Sequence, residues 1–145
     1  MELLDPRREP NLAQGGTYNG NPLGMAAGLA AMQELTPDVY AELNRKGERM
    51  TEQLSEVFAS HGVPAQVNGA GSLLAIHFSD KPVVDYRSVA ATDKKKMREL
   101  FLGLVNHGVL MAPRGMGAIS TPMDEDVLQR FVDAVDEVLT EVSWG

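Results

Sequence analysis

Val63 to Asp80 reads VPAQVNGAGSLLAIHFSD, and within it the apolar period becomes two. Val63, Ala65 and Val67 alternate with Pro64 and Gln66, and Leu74, Ile76 and Phe78 then share one face. The glycine-rich Asn68-Gly69-Ala70-Gly71 between them predicts a turn joining neighbouring antiparallel strands. On both sides the period is helical. Upstream, Thr36 caps and Pro37 opens a helix whose stripe is Val39, Leu43, Met50, Leu54, Val57 and Phe58, stopped at His61-Gly62. Downstream, Lys81 to Ala91 reads as a loop and Thr92 as the cap of a helix. Its Met97, Leu100, Phe101, Leu104 and Val105 recur at helical spacing until Asn106-His107-Gly108. VLMA, residues 109–112, predicts a short strand, and Ile119 and Ser120 resume an extended run after Pro113-Arg114-Gly115-Met116-Gly117. Thr121-Pro122-Met123-Asp124 is a capping signature for a last helix, with Val127, Leu128, Phe131, Val135, Val138, Leu139 and Val142 facing inward. Residues 36–145 therefore predict an α+β domain, a small antiparallel sheet covered by helices.

The front of the chain differs. Met1 to Gln14 has no periodicity, carries Pro6 and Pro10, and reads as an incoming connection. Gly15 to Met32 follows as GGTYNGNPLGMAAGLAAM, where Asn21 caps a helix that starts at Pro22 and ends near Leu35. Gly24 and Gly28 each cost that helix about 1 kcal/mol relative to Ala, which points to a close backbone approach. Residues 1–35 thus form a helical arm ahead of the domain.

Composition narrows the function classes. The 145 residues carry a formal charge of −7, against a role in holding nucleic acid. The one basic run, Lys94-Lys95-Lys96, reads as a solvated helix face. No apolar run reaches the ~20 residues of a membrane span. MELLDPRREP has charges where a signal peptide has its apolar core, and there is no cysteine, so a cytoplasmic location is expected. Nucleophile-elbow, phosphate-loop, zinc-protease and calcium-loop signatures are missing. His61 and His107 sit at helix ends, where an imidazolium favours the helix dipole, and His77 reads as a packed or rim residue of a strand. No metal site is expected.

Two stretches invite a chemical reading. In Gly16-Thr17-Tyr18-Asn19-Gly20-Asn21-Pro22, backbone N–H groups, the Thr17 hydroxyl and the following helix end suit either a bound anion or a capped turn. In Ala112-Pro113-Arg114-Gly115-Met116-Gly117, Arg114 offers a planar fork to a carboxylate or is a surface arginine.

Together these residues resemble the C-terminal part of a class III pyridoxal-phosphate-dependent aminotransferase. GGTYNGNPLGMAAGLAAM is similar to that family's Gly-Thr-x-x-Gly-Asn-Pro-(x)-x-Met-Ala-Ala segment; VPAQVNGAGSLLAIHFSD, HGVLMAP and the closing helix add to the likeness, which runs from Met1 to about Leu139. The resemblance implies the small C-terminal domain of a fold-type I transferase over 36–145. It makes 1–35 a dimer-crossing segment and interface helix. It implies a homodimer in which Gly16 and Thr17 hold the cofactor phosphate of the neighbouring subunit. Gly24, Ala26, Ala27 and Gly28 then allow close helix approach at the interface. Arg114 stands where related aminotransferases bind the substrate carboxylate, and the substrates implied are an amino acid and a 2-oxo acid.

Glutamate-1-semialdehyde 2,1-aminomutases and aminotransferases of β- or ω-amino acids are the groups this chain resembles within the class. The aminomutases place a serine at the Arg114 position, followed by Phe-Glu-Ala-Gly-Phe. Here the stretch is RGMGAIST, which favours an aminotransferase and leaves the aminomutase as the alternative. The family's Schiff-base lysine, and the aspartate that pairs with the pyridine nitrogen, lie upstream of the Gly-Thr pair. Only sixteen residues precede Thr17, none of them lysine, while Lys46, Lys81, Lys94, Lys95 and Lys96 are expected on exposed positions. No catalytic residue is therefore assigned; the chain is expected to be a fragment and, alone, inactive. The remaining alternative is a non-catalytic α+β association module.

Overall fold

The structure, a computed structural model, describes residues 4–5, 7–10, 12 and 15–144. The expected hairpin forms from β1 (Ala65–Ala70) and β2 (Leu73–Phe78), antiparallel, with Ala65 opposite Phe78 and Val67 opposite Ile76. Its turn is Gly71-Ser72, later than the four residues Asn68 to Gly71 expected from sequence. Gly71 has φ +60° at the first central position, as a type II′ hairpin turn demands, so Asn68 and Gly69 remain in the ladder. A third strand, β3 (Met116–Ala118), pairs antiparallel with the other edge of β2 and gives the order β1-β2-β3.

The strand expected at Val109–Ala112 does not form. The preceding helix takes Val109, whose N–H donates to the Leu104 carbonyl at 2.8 Å, and only Ala112 reaches across to Met116, at 3.2 Å. Ala112 to Gly115 instead make a tight turn closed by Gly115 N–H to Ala112 O at 2.9 Å, with Gly115 at φ +81°, so extended pairing starts beyond it.

Two long helices, α2 (Pro37–Ser60) and α4 (Lys94–Asn106), pack on the sheet, and a third, α5 (Glu125–Glu141), packs on both of them. Their apolar stripes meet Leu74, Ile76 and Phe78 in a core centred on Met50, Leu54, Phe58, Leu100, Leu104, Val135 and Val138. Phe78 takes Phe58 edge-on at 5.7 Å between ring centroids and stacks on Trp144 at 5.3 Å. On the opposite face of β1, Gln66 and Asn68 hold the backbone of Lys81 and Val83 through their amides. The segment read as a loop there contains a short helix, α3 (Tyr86–Ala90), started by a capping box between Asp85 and Ser88. The cap of α4 is Asp93, not Thr92: its carboxylate accepts from the Lys95 and Lys96 N–H groups, while the Thr92 hydroxyl turns back to Val89 O.

The chain divides into two compact units, Met1–Thr36 and Pro37–Gly145. In the first, α1 (Pro22–Glu34) has no buried residue. Leu23 is 82% exposed and Met25, Leu29 and Met32 more than 60%. Among the described residues no helix is long and apolar enough to cross a membrane.

Candidate functional site

The turn ahead of α1 is built by its own polar atoms. Asn19 N–H donates to Gly16 O at 3.1 Å and Asn21 N–H to Tyr18 O at 3.3 Å. Asn21 also closes the turn from the side, its amide donating to Tyr18 O at 2.8 Å and its carbonyl accepting the Gly24 N–H at 2.8 Å. The Asn19 side chain folds back over Gly16 so closely that a Cβ at 16 would meet Asn19 Oδ1 at 3.0 Å. Gly15 to Gly20 are all exposed, and the Thr17 hydroxyl makes no hydrogen bond among the described residues. Because Asn21 caps the helix and Pro22 brings no N–H, the start of α1 keeps few free donors. An exposed glycine backbone next to a hydroxyl with no protein partner can donate to an anion.

Arg114 is exposed at the tip of the Ala112–Gly115 turn. Gly115 rivets that tip to β2: its carbonyl accepts the Ile76 N–H at 2.9 Å, and a Cβ on it would lie 2.5 Å from Ile76 O. Sequence reading named the arginine and missed the glycine that positions it; the signal available was a glycine two residues after proline in a tight turn. Thr17 belongs to the first unit and Arg114 to the second.

Not every lysine is exposed as expected. The Lys46 side chain is only 12% exposed, because its ammonium donates to Met123 O at 2.8 Å and ties α2 to the approach of α5. Lys96 donates to Trp144 O at 2.6 Å. Both are occupied structurally. The helix-end histidines likewise do more than face a dipole. His61 Nε2 lies 2.7 Å from Asp136, while His107 contacts Glu137 through Nδ1 at 2.7 Å and Glu141 through Nε2 at 3.2 Å. The hydrogen bond to Glu141 raises the His107 pKa, helped by the charges of Glu141 and Glu137 and opposed by burial. Its two ring nitrogens face different carboxylates, and among the described residues no group of three acidic or histidine side chains could hold a metal. Burial lowers the pKa of His77, on the strand face opposite Leu74 and Ile76. A cavity of about 310 Å³, lined by Met50, Leu74, Leu110, Met111, Val127 and Phe131, opens beside the first turn of α5.

The class-III aminotransferase profile matches residues 1–128. This chain belongs to the class III aminotransferase family. Glutamate-1-semialdehyde 2,1-aminomutase of Bacillus subtilis is 35% identical over 146 residues, covering 99% of this chain and 33% of its own. β-Phenylalanine transaminase of Variovorax paradoxus is 37% identical over 136 residues, covering 93% of this chain and 31% of its own. The crystal structure of a β-phenylalanine aminotransferase from Variovorax paradoxus superposes with a TM-score of 0.83 at 35% identity, over 97% of this chain and 33% of that one. The class III chain described here therefore spans about a third of the length of the relatives it matches. Its fold is that of a fragment of a fold-type I transaminase.

Proposed function

We propose that this chain supplies the phosphate-gripping turn and the small domain of a cytoplasmic, homodimeric class III aminotransferase that moves an amino group between an amino acid and a 2-oxo acid. The observation that carries the reading is the front turn, where Gly16 and an exposed Thr17 with a free hydroxyl precede the start of α1. Gly16 and Thr17 are the residues that would hold the phosphate of pyridoxal phosphate, reaching it across the dimer. Bound there, the cofactor contributes the electron sink that amino-group exchange needs. Thr17 would donate its hydroxyl to a phosphate oxygen, and the turn would orient that donor. Arg114 would present its guanidinium fork to the substrate carboxylate, held in place by Gly115.

The test has two arms. Alone, the chain should show neither transamination nor borohydride fixation of the cofactor; a stoichiometric adduct on one of its lysines would overturn the reading. As the last third of a lysine-bearing class III enzyme, Thr17→Ala should weaken cofactor binding about tenfold or more, the worth of one hydrogen bond to a charged group. Arg114→Ala should there raise KM for carboxylate substrates with little change in cofactor affinity.

The aminomutase reading also has an observation in its favour, the 35% identity to the Bacillus subtilis enzyme over nearly the whole chain. Assay with glutamate-1-semialdehyde, against an amino donor plus a 2-oxo acid, separates the two. Turnover of the semialdehyde without any second substrate would select the aminomutase.

A further inference from the structure

The sequence contains two Asn-Gly pairs, Asn19-Gly20 and Asn68-Gly69, and the fold treats them in opposite ways. We propose that Asn19 is a site of spontaneous deamidation, and that the modification lies within the phosphate-gripping turn. In this reaction the backbone nitrogen of the following residue attacks the asparagine Cγ. The bond from Cγ to the amide nitrogen breaks, and ammonia leaves with the proton of the attacking N–H. Water then opens the resulting five-membered imide at either carbonyl, giving aspartate or isoaspartate. Nothing is oxidised or reduced, and water is the one co-reactant.

The step needs a following residue without a side chain, an uncommitted backbone N–H, an asparagine side chain free to swing onto its own backbone, and access to water. Asn19 and Gly20 meet all four. Both are exposed. The turn is closed by the N–H groups of Asn19 and Asn21, and the Gly20 N–H is in neither bond. The Asn19 amide lies over Gly16 with no hydrogen bond among the described residues.

Asn68 and Gly69 are exposed too, and differ in how firmly the asparagine amide and the backbone are held. They sit in the β1–β2 ladder opposite Ala75 and Leu74. The Asn68 amide donates to Val83 O at 2.9 Å, which pins the group that would have to rotate. Thr51 presses on the strand from α2, its hydroxyl only 2.7 Å from where a Cβ on Gly69 would stand. Attack needs the reacting atoms brought close and aligned, and a strand held on both faces prevents it.

Conversion of Asn19 replaces a neutral amide by a carboxylate beside Gly16 and Thr17, and the isoaspartate form also lengthens the backbone of the turn by one carbon. Either change opposes a bound phosphate. That consequence rests on the proposed function; the modification itself does not.

The experiment incubates the full chain in mildly alkaline buffer, folded and in urea, and follows both sites by peptide mass mapping with enzymatic isoaspartate labelling. In the folded chain the Asn19 peptide should convert at least about tenfold faster than the Asn68 peptide, and in urea the two rates should converge. Asn19→Gln should abolish conversion at the front peptide. Equal rates in the folded chain, a faster Asn68, or no conversion of Asn19 while the urea sample converts would each overturn the proposal. Cofactor affinity of Asn19→Asp, measured in the lysine-bearing enzyme, tests the consequence separately. If Asn19 converts but that variant binds normally, the phosphate reading falls and the modification stands.

Discussion

At Gly47 the backbone of α2 runs into the β1–β2 turn. A Cβ there would overlap the Gly71 carbonyl oxygen and stand 2.9 Å from its carbon, and both partners are main chain, so neither yields cheaply. Gly47→Ala should therefore destabilise the domain by at least about 2 kcal/mol, read from the urea midpoint, although alanine is the better helix former. His107 makes a second residue-scale prediction, about pH. Its folded pKa is raised above the ordinary 6.5 by the Glu141 hydrogen bond and the charges of Glu141 and Glu137. The stabilisation is then fully present below 6.5 and is lost as pH rises through the raised value. His77 acts in the other direction: burial lowers its pKa, so it costs stability as pH falls from 6.5 through the lowered value. Melting temperatures of His107→Gln across neutral pH should lack the decline on the alkaline side that the unaltered chain shows, and should keep the decline on the acid side. A variant with the same alkaline slope would remove the two carboxylates from the account.

Among the elements, α5 depends most visibly on its start. Asp124 accepts the Val127 N–H at 2.9 Å, and Glu125 and Asp126 add negative charge to the first turn. Asp124→Ala should cost about 1 kcal/mol, measurable as a lower urea midpoint with unchanged slope. A capping signature was legible in Thr121-Pro122-Met123-Asp124, though not that Asp124 itself is the cap. The inward face of Leu74, Ile76 and Phe78 and most of the stripes of α2, α4 and α5 were legible too, as local patterns with one period. Val105 and Val127, expected to face inward, are exposed, and Val132 and Ala134 are buried in α5 instead. What misled sequence reading were choices between neighbours. Thr92 and Asp93 both suit a cap, and the carboxylate that reaches two N–H groups prevails. The glycines at 69 and 71 both suit a turn, and the two-residue hairpin needs the second. VLMA has strand residues, but Val109 is already committed to the end of α4. In the site, Thr17 and Arg114 stood out through their motifs. The carboxylate partners of His61 and His107 did not, since they lie 75 and 34 or fewer residues away on α5 and no local spacing joins them.

Taken whole, the molecule is uneven in what it buries. The core runs from Leu43 to Leu139, with Val39 and Trp144 packed against it, and among the described residues draws on none before Val39. The first 11 of the 13 residues of α1 are apolar on every side, and none of the 13 is buried. A helix of that length is marginal in water and that pattern belongs to a covered helix, consistent with a chain spanning a third of its relatives. The division gives a sharp expectation for stability. Trp144 is the one tryptophan, and its stack on Phe78 makes its fluorescence a report on the second unit. Removing residues 1–35, which keeps Thr36 ahead of α2, should leave both midpoint and slope of the Trp144 urea transition unchanged, because slope follows the surface exposed on unfolding and no residue of α1 is buried. Leu54→Ala in the shortened chain supplies the scale: Leu54 is 0% exposed, and its truncation should lower stability by about 2–5 kcal/mol. A loss of comparable size on removing 1–35 alone would mean that the front unit contributes to the stability of the small domain, and the two-unit description would fail.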